Sequence, residues 1–147
     1  MIIAIVGPTG VGKTNLSIEL AKRYNAEIIS CDSMQIYKKM NIGTAKITKN
    51  EMQNIKHHLI DIKDVSEDYS VFDYQKDARL ILNKLLKENK NVVIVGGTGL
   101  YLKALLYNYD FKLNNNERKD FSSYTNEELY NMVLKIDKNT KIHINNR

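Results

Sequence analysis

Five apolar residues, Ile2-Ile3-Ala4-Ile5-Val6, run straight into Gly7-Pro8-Thr9-Gly10-Val11-Gly12-Lys13-Thr14. These eight residues satisfy G-x-x-x-x-G-K-[ST] in full, and they stand between a strand pattern and a helix pattern, the context such a loop needs. Gly7 and Gly12 let backbone N–H groups turn inward around phosphate oxygens. The start of the following helix adds the positive end of its dipole. Lys13 supplies a mobile charge, and Thr14 a hydroxyl for Mg²⁺. The chemistry this implies is performed on a substrate that carries a diphosphate or triphosphate, and the alternative, a chance glycine-rich turn, does not explain the flanking elements.

Three further groups could do chemistry. Asp32 lies just past a second short strand, and ligands of open parallel sheets bind at the carboxyl ends of the strands. It could hold Mg²⁺ through water, accept a proton from a nucleophile, or cap the next turn. Gly96-Gly97-Thr98-Gly99 also leads from a strand into a helix. It allows close backbone approach and offers the Thr98 hydroxyl, or it is only a tight connection. His57-His58 invites a metal reading, but neighbours on a strand point to opposite faces, and with no Cys or carboxylate cluster beside them the pair is expected to be structural. Tyr37, Tyr69, Tyr101, Tyr107 and Tyr109 could stack on bases; each reads more simply as an amphipathic core or surface residue. Cys31 reads as a small residue at a strand end.

The elements that must position these groups follow from periodicity. Ile2–Val6 is expected to be a strand covered on both faces. Lys13–Tyr24 is expected to be a helix with Leu16, Leu20 and Ala21 inward. Glu27–Ser30 is a second strand. Residues 33–56 read as irregular, with a turn at Gly43-Thr44 and a short helix around Glu51–Lys56, and His58–Ile62 reads as a third strand. Val71–Asn89 is the longest helical pattern, capped by Ser70, with Phe72, Ala78, Leu82, Leu85 and Leu86 as core contacts. Asn91–Val95 is another strand, and a helix follows from Leu100 to about Tyr107. Strand, loop and helix recur in that order. The fold expected is therefore α/β, a P-loop NTPase-like parallel sheet with helices on both faces, followed by the start of a helical region. That region includes a polar stretch over 109–125, with a surface loop at Asn114-Asn115-Asn116, and a short helix Asn126–Lys135 capped by Thr125.

Composition sets outer bounds. A chain of 147 residues with 43% hydrophobic and 27% charged residues is an ordinary globular protein. The net charge is +5, and the surplus is uneven. Residues 1–60 hold eight Lys/Arg against four Asp/Glu, whereas 61–111 hold seven against eight, so positive charge gathers around the phosphate loop. One cysteine permits no internal disulfide. The apolar start is too short for a signal peptide, and no stretch reaches membrane-spanning length. A cytoplasmic protein with no membrane partner is expected.

Taken in order, several segments resemble the bacterial tRNA dimethylallyltransferases, also called tRNA isopentenyltransferases: Gly7–Thr14, Asp32-Ser33-Met34-Gln35-Ile36-Tyr37, Gly43-Thr44-Ala45-Lys46, His57-His58-Leu59-Ile60-Asp61, Gly96–Leu105 and the closing Lys141-Ile142-His143. The resemblance implies transfer of the five-carbon unit of dimethylallyl diphosphate to the N6 amine of the adenosine 3′ of the anticodon in tRNA, with Mg²⁺ as cofactor. The phosphate loop, Gly7, Pro8, Thr9, Gly10, Val11, Gly12, Lys13 and Thr14, would then hold a diphosphate leaving group, with Thr14 as the protein's metal contact. Asp32, Lys13 and Thr14 would be the catalytic residues. Asp32, Ser33, Met34, Gln35, Thr98 and, on a looser match, Arg118 would touch the tRNA anticodon stem-loop, whose target base must leave its stack to react.

The resemblance also divides the chain into a P-loop α/β core, 1–108, and the start of a helical tRNA-contacting region, 109–147. Two departures accompany it. The closing motif usually continues with Pro and Asp, where this chain has Ile144 and Asn146, and family members are about twice as long, so the chain reads as an N-terminal half that stops short. Two other functions share the same loop: a P-loop kinase of a small metabolite or nucleotide, and a truncated, catalytically inactive domain that binds diphosphate or RNA.

Overall fold

The computed structural model describes residues 1–107, 109, 111 and 120–142. The chain divides into two compact units, Met1–Phe111 and Lys112–Arg147. In the first unit, β1 (Ile2–Val6), α1 (Lys13–Tyr24), β2 (Ala26–Ser30), β3 (His57–His58), α2 (Val71–Lys87), β4 (Asn91–Gly96) and α3 (Gly99–Leu106) follow one another along the chain. The four strands form one parallel sheet in the order β1-β4-β2-β3. The architecture is α/β, with helices on both faces.

Alternation within β2 and β4 explains the two faces, because successive side chains leave opposite sides of a strand. Ile29, Val92 and Ile94 enter one core with Tyr74, Ala78, Leu82 and Leu85 of α2 and Tyr101 and Leu105 of α3. Ala26, Ile28 and Val93 enter the other with Ile18 and Ala21 of α1. Both central strands are buried on both sides, as their continuous apolar sequence requires. Tyr101 belongs to the first core, its ring stacked on Tyr74 at 4.1 Å between centroids.

β1 departs from the expectation. Ile3 and Ile5 pack towards α1, but Ile2 is 42% and Val6 60% exposed. The strand lies at the sheet edge among the described residues, and α2 and α3 gather on β2 and β4, which leaves the other side of β1 bare. In α1 the buried residues are Ser17, Ile18 and Ala21, and Leu16 is exposed, so the inward face is rotated from the expected one. In α2, Phe72 and Leu86 are exposed, and Tyr74 is fully buried in their place.

Caps bound the helices. Ser70 Oγ accepts from the Asp73 amide while Asp73 Oδ2 accepts from the Ser70 amide, a reciprocal box at the start of α2. α1 ends at Asn25, whose φ of 47° is left-handed, a conformation asparagine tolerates. The third strand is two residues, not His58–Ile62, because Leu59 (φ 62°) and Asp61 (φ 55°) turn left-handed and break the extended run. Left-handed Gln53 (φ 49°) and Asn54 (φ 63°) likewise reduce the short helix expected at Glu51–Lys56 to turns. The turn at Gly43-Thr44 is present.

The second unit, within its described residues, contains α4 (Asn126–Ile136), started by a reciprocal box between Thr125 and Glu128. The Asn114–Asn116 loop and the closing His143 fall outside the described residues, as does Arg118.

Candidate functional site

The carboxyl ends of β1, β2 and β4 meet around one cavity of about 210 Å³. β1 delivers the phosphate loop. Gly10 and Gly12 both have φ of +87°, where a side chain would be strained, and Gly12 is the residue from which α1 starts. This local geometry is why glycine is needed there, and it points the first turn of α1 at the cavity. Thr9, Gly10, Gly12, Lys13 and Thr14 line it. Lys13 Nζ donates to the Pro8 carbonyl at 2.5 Å, which folds the ammonium back over the loop.

β2 delivers Asp32, also in the lining. Asp32 Oδ1 accepts from the Met34 amide at 2.9 Å and the Gln35 amide at 3.2 Å. This is the turn-capping arrangement, and it coexists with a place in the cavity. One oxygen satisfies the turn, and among the described residues Oδ2 takes no hydrogen bond. Turn and ligand roles are therefore compatible in a single carboxylate.

β4 delivers Gly96 and Gly97. A Cβ on Gly96 would lie 2.3 Å from the Cys31 carbonyl carbon and oxygen, so β2 and β4 close to this distance only with glycine here. The Cys31 amide donates to the Val95 carbonyl at 2.7 Å, and the Thr98 amide donates to the Cys31 carbonyl at 3.1 Å. The Ser33 amide in turn donates to Thr98 Oγ1 at 3.2 Å. Asp32, Ser33 and Thr98, distant in sequence, are thereby joined in one hydrogen-bonded corner. Gln35 lines the cavity and donates to the Thr44 carbonyl at 3.2 Å. Gly7, Pro8, Val11, Ser33, Met34 and Thr98 stand outside the lining; Val11 and Met34 are exposed.

Sequence reasoning missed part of the wall. Thr44, Ala45, Ile47, His57, Ile60 and Val95 line the same cavity. The structural part expected of His57 is present, its Nδ1 lying 2.9 Å from the Ile55 carbonyl, but the residue also lines the cavity. A carbonyl only accepts, so Nδ1 carries the proton and Nε2 is left as an acceptor. Burial pushes His57 below the ordinary histidine value, opposed by the Ile55 contact and aided by the His58 charge. His58 points away, its Nε2 2.6 Å from Glu27 Oε2, so the two rings do face opposite sides. The signal that could have found His57 was that alternation: if His58 takes one face of the sheet, His57 must take the other, the face on which the cavity lies.

Cys31 is buried beneath the site, its Sγ 2.8 Å from the Tyr74 hydroxyl. That hydroxyl donates to the Ser30 carbonyl, so the thiol is the donor to Tyr74. Burial pushes the thiol up to about 11, which leaves it protonated and unreactive. No group of three or more His, Cys, Asp or Glu side chains suited to a metal occurs among the described residues. The hard oxygen donors of Thr14 and Asp32 share the cavity, and they fit Mg²⁺, which is commonly held by one or two protein oxygens together with substrate phosphates.

A model of the IPP transferase family matches residues 35–147. The chain belongs to that family. The match begins just past Asp32 and includes Gln35, Thr44, His57, Ile60 and the Gly96–Gly99 turn. A tRNA dimethylallyltransferase of Alkaliphilus metalliredigens is 47% identical over 99% of this chain and 49% of its own length. One from Bacillus subtilis is 57% identical over 75% of this chain and 35% of its own. Among solved structures, the tRNA isopentenylpyrophosphate transferase of Bacillus halodurans superposes with a TM-score of 0.72 at 44% identity, covering 99% of this chain and 51% of that one. A eukaryotic dimethylallyltransferase captured acting on tRNA gives a TM-score of 0.77 at 35% identity, covering 99% and 38%. The chain spans about half the length of the curated relatives it matches. No described helix is long and apolar enough to cross a membrane.

Proposed function

We propose that this chain forms the diphosphate-handling part of an enzyme that transfers a dimethylallyl group from dimethylallyl diphosphate to the N6 amine of the adenosine 3′ of the anticodon in tRNA. The observation that carries the reading is the mixed lining of one cavity. A phosphate loop, a carboxylate, and the apolar side chains of Ala45, Ile47, Ile60 and Val95 share it. A ligand with a diphosphate head and a short branched hydrocarbon suits such a wall, the phosphate loop taking the head and the aliphatic side chains the hydrocarbon. The family membership and the names of the relatives support the same reading.

In this reaction the allylic C–O bond breaks, the C–N bond forms, diphosphate departs and the amine loses a proton. Charge builds on the leaving diphosphate, and the phosphate loop that lines the cavity, the start of α1 and the Lys13 ammonium would stabilise it. The adenine amine is a weak nucleophile because its lone pair is delocalised. Asp32 receives its proton through the oxygen not engaged by Met34 and Gln35. Ser33, Met34, Gln35 and Thr98 border Asp32 and are the proposed contacts to the tRNA around the extruded base; Arg118 is a further one. Thr14 would hold Mg²⁺ together with the substrate's phosphate oxygens, and the ion when bound supplies positive charge to the diphosphate. A cytoplasmic setting follows from a tRNA substrate.

The test is a comparison of ligands on the purified chain. Pyrophosphate and dimethylallyl diphosphate, each with Mg²⁺, should raise the melting temperature, with ATP the weaker ligand, and Lys13→Ala should abolish the stabilisation. Stabilisation by ATP above that by dimethylallyl diphosphate would favour a kinase. Prenylation of an anticodon stem-loop, measured in parallel, separates a working enzyme from a binding domain.

A further inference from the structure

Lys46 is the one charged side chain among the buried described residues, at 8% exposure. Its ammonium donates to the Tyr37 carbonyl at 2.5 Å and to Asp61 Oδ1 at 2.5 Å. Lys46 does not line the cavity, but Thr44, Ala45 and Ile47 on either side of it do. Asp61 precedes the stretch where the Ile62 and Lys63 amides donate to the Ile36 carbonyl and the Lys38 amide to the Lys63 carbonyl. The lysine therefore ties three segments together: the turn 42–45, the chain following Asp32, and the chain following β3.

The backbone around this tie is held in conformations that ordinary residues avoid. Ala45 has φ of 46°, Leu59 of 62° and Asp61 of 55°. None of the three is glycine, and left-handed backbone of this kind persists only where the surroundings over-determine it. Leu59 is fixed by burial in the core. Ala45 and Asp61 are bracketed by the Lys46 contacts. An uncompensated ammonium is costly to bury, and the return for burying this one is a wall segment held against its own backbone preference.

We propose that Lys46 is a positioning residue that sets the cavity's preference for a hydrocarbon-bearing diphosphate over a bare one. It fixes Ala45 and Ile47, which belong to the aliphatic lining, and has no part in the phosphate loop, which is built on β1 and α1. The inference rests on the prenyl diphosphate reading above and deepens it. With the tie cut, the turn relaxes, the aliphatic wall loosens, and the phosphate loop stays as it was.

The experiment measures affinity for dimethylallyl diphosphate and for inorganic pyrophosphate, both with Mg²⁺, by titration calorimetry on the unaltered chain, Lys46→Met and Asp61→Asn. Lys46→Met keeps the aliphatic stem and removes the charge. Asp61→Asn keeps an oxygen acceptor, tolerates the left-handed backbone, and carries the test alone if Lys46→Met does not fold. The expected result for Lys46→Met is about a tenfold loss of affinity for dimethylallyl diphosphate, the equivalent of exposing one or two methyl groups, with pyrophosphate affinity within about twofold of the unaltered protein. Asp61→Asn should move the ratio in the same direction by less. A merely structural lysine would lower both affinities together or neither, and either result overturns the proposal. An unaltered protein without preference for dimethylallyl diphosphate overturns the substrate reading and this inference with it; a preference that survives both substitutions overturns the inference alone.

Discussion

The glycines at 96, 97 and 99 offer a test in which one chemical change has three outcomes. Each is replaced by alanine. At Gly96 the new Cβ would lie 2.3 Å from the Cys31 carbonyl carbon and oxygen and 2.7 Å from its Cα. Ordinary contact begins near 3.4 Å, so about an ångström must open between the ends of β2 and β4. The obstacle is backbone, which cannot rotate aside as a side chain could. Overpacking of this kind costs about 3 kcal/mol, the upper part of its usual range. At roughly 3–4 °C per kcal/mol for a chain of this size, the melting temperature should fall by about 10 °C. At Gly97 the nearest contact is the Gly7 carbonyl oxygen at 3.8 Å, and the change should stay within about 0.5 kcal/mol. Gly99 is the first residue of α3 with nothing within 4 Å of an added Cβ. Alanine there lowers the entropy of the unfolded chain and suits the helix, for a gain of about 0.5 kcal/mol. Calorimetric melting of the three variants gives the order. Pyrophosphate titration should show weakened binding only for Gly96→Ala, because parting β2 from β4 displaces the paired Ser30 and Val95, which line the cavity beside the phosphate loop. A Gly96→Ala protein that melts within about 2 °C of the parent, or three variants that behave alike, would refute the close-approach argument.

Asp32→Asn should preserve the turn, since Asn Oδ1 can accept from the Met34 and Gln35 amides as Asp32 does. Binding of dimethylallyl diphosphate should persist while prenyl transfer slows by roughly 10²–10⁴, and unaltered turnover would remove Asp32 from the mechanism. Cys31 should resist iodoacetamide at pH 8 in the folded protein and react once urea unfolds it, because burial keeps the thiol protonated to about pH 11; native labelling at the unfolded rate would contradict its placement. His57 predicts an acid-side loss of stability. Its folded value lies below the unfolded 6.5, so the unfolded chain takes up the proton first. The His57 contribution is complete above about pH 6.5 and falls away as pH drops towards the folded value. Urea midpoints between pH 7.5 and 5 should fall, and His57→Gln should flatten that slope.

The phosphate loop, the strand after which Asp32 stands and the glycine turn were legible in sequence because each is local. A strand, its turn chemistry and the next helix sit within a few residues. Ser70 and Thr125 announced their helices for the same reason. What sequence did not reveal depends on partners far along the chain. The bare side of β1 follows from where α2 and α3 pack, and Ile2 and Val6 look no different from Val92 and Ile94 in a list of residues. Phe72 and Tyr74, two residues apart, lie on nearly opposite faces of α2, so only one can turn inward, and hydrophobicity favours the wrong one; Tyr74 faces the core, where its hydroxyl meets the Ser30 carbonyl and the Cys31 thiol. The third strand failed on backbone conformation: Leu59 and Asp61 adopt left-handed φ values that side-chain identity does not advertise. The aliphatic wall was missed since Ala45, Ile47 and Ile60 lie in an irregular segment with no period to read.

The pairing of β1 with β4 bears on how this molecule comes to exist. β1 starts at Ile2 yet finds its hydrogen-bonded neighbour only at Val92, and the N-terminal ammonium reaches the side chain of Asn91, ninety positions away. Closing a loop of that length costs about 4 kcal/mol of chain entropy before the strands gain anything from meeting. Contacts so distant along a polypeptide slow folding. During synthesis the strand that carries the phosphate loop leaves the ribosome before β4 and waits unpaired until β4 has emerged. Its backbone pairing groups stay unsatisfied by the sheet throughout that interval, and the diphosphate site takes shape only after β4 although its phosphate loop is made well before β4. Pyrophosphate added to a refolding reaction should therefore act late, trapping the finished fold without hastening its early steps.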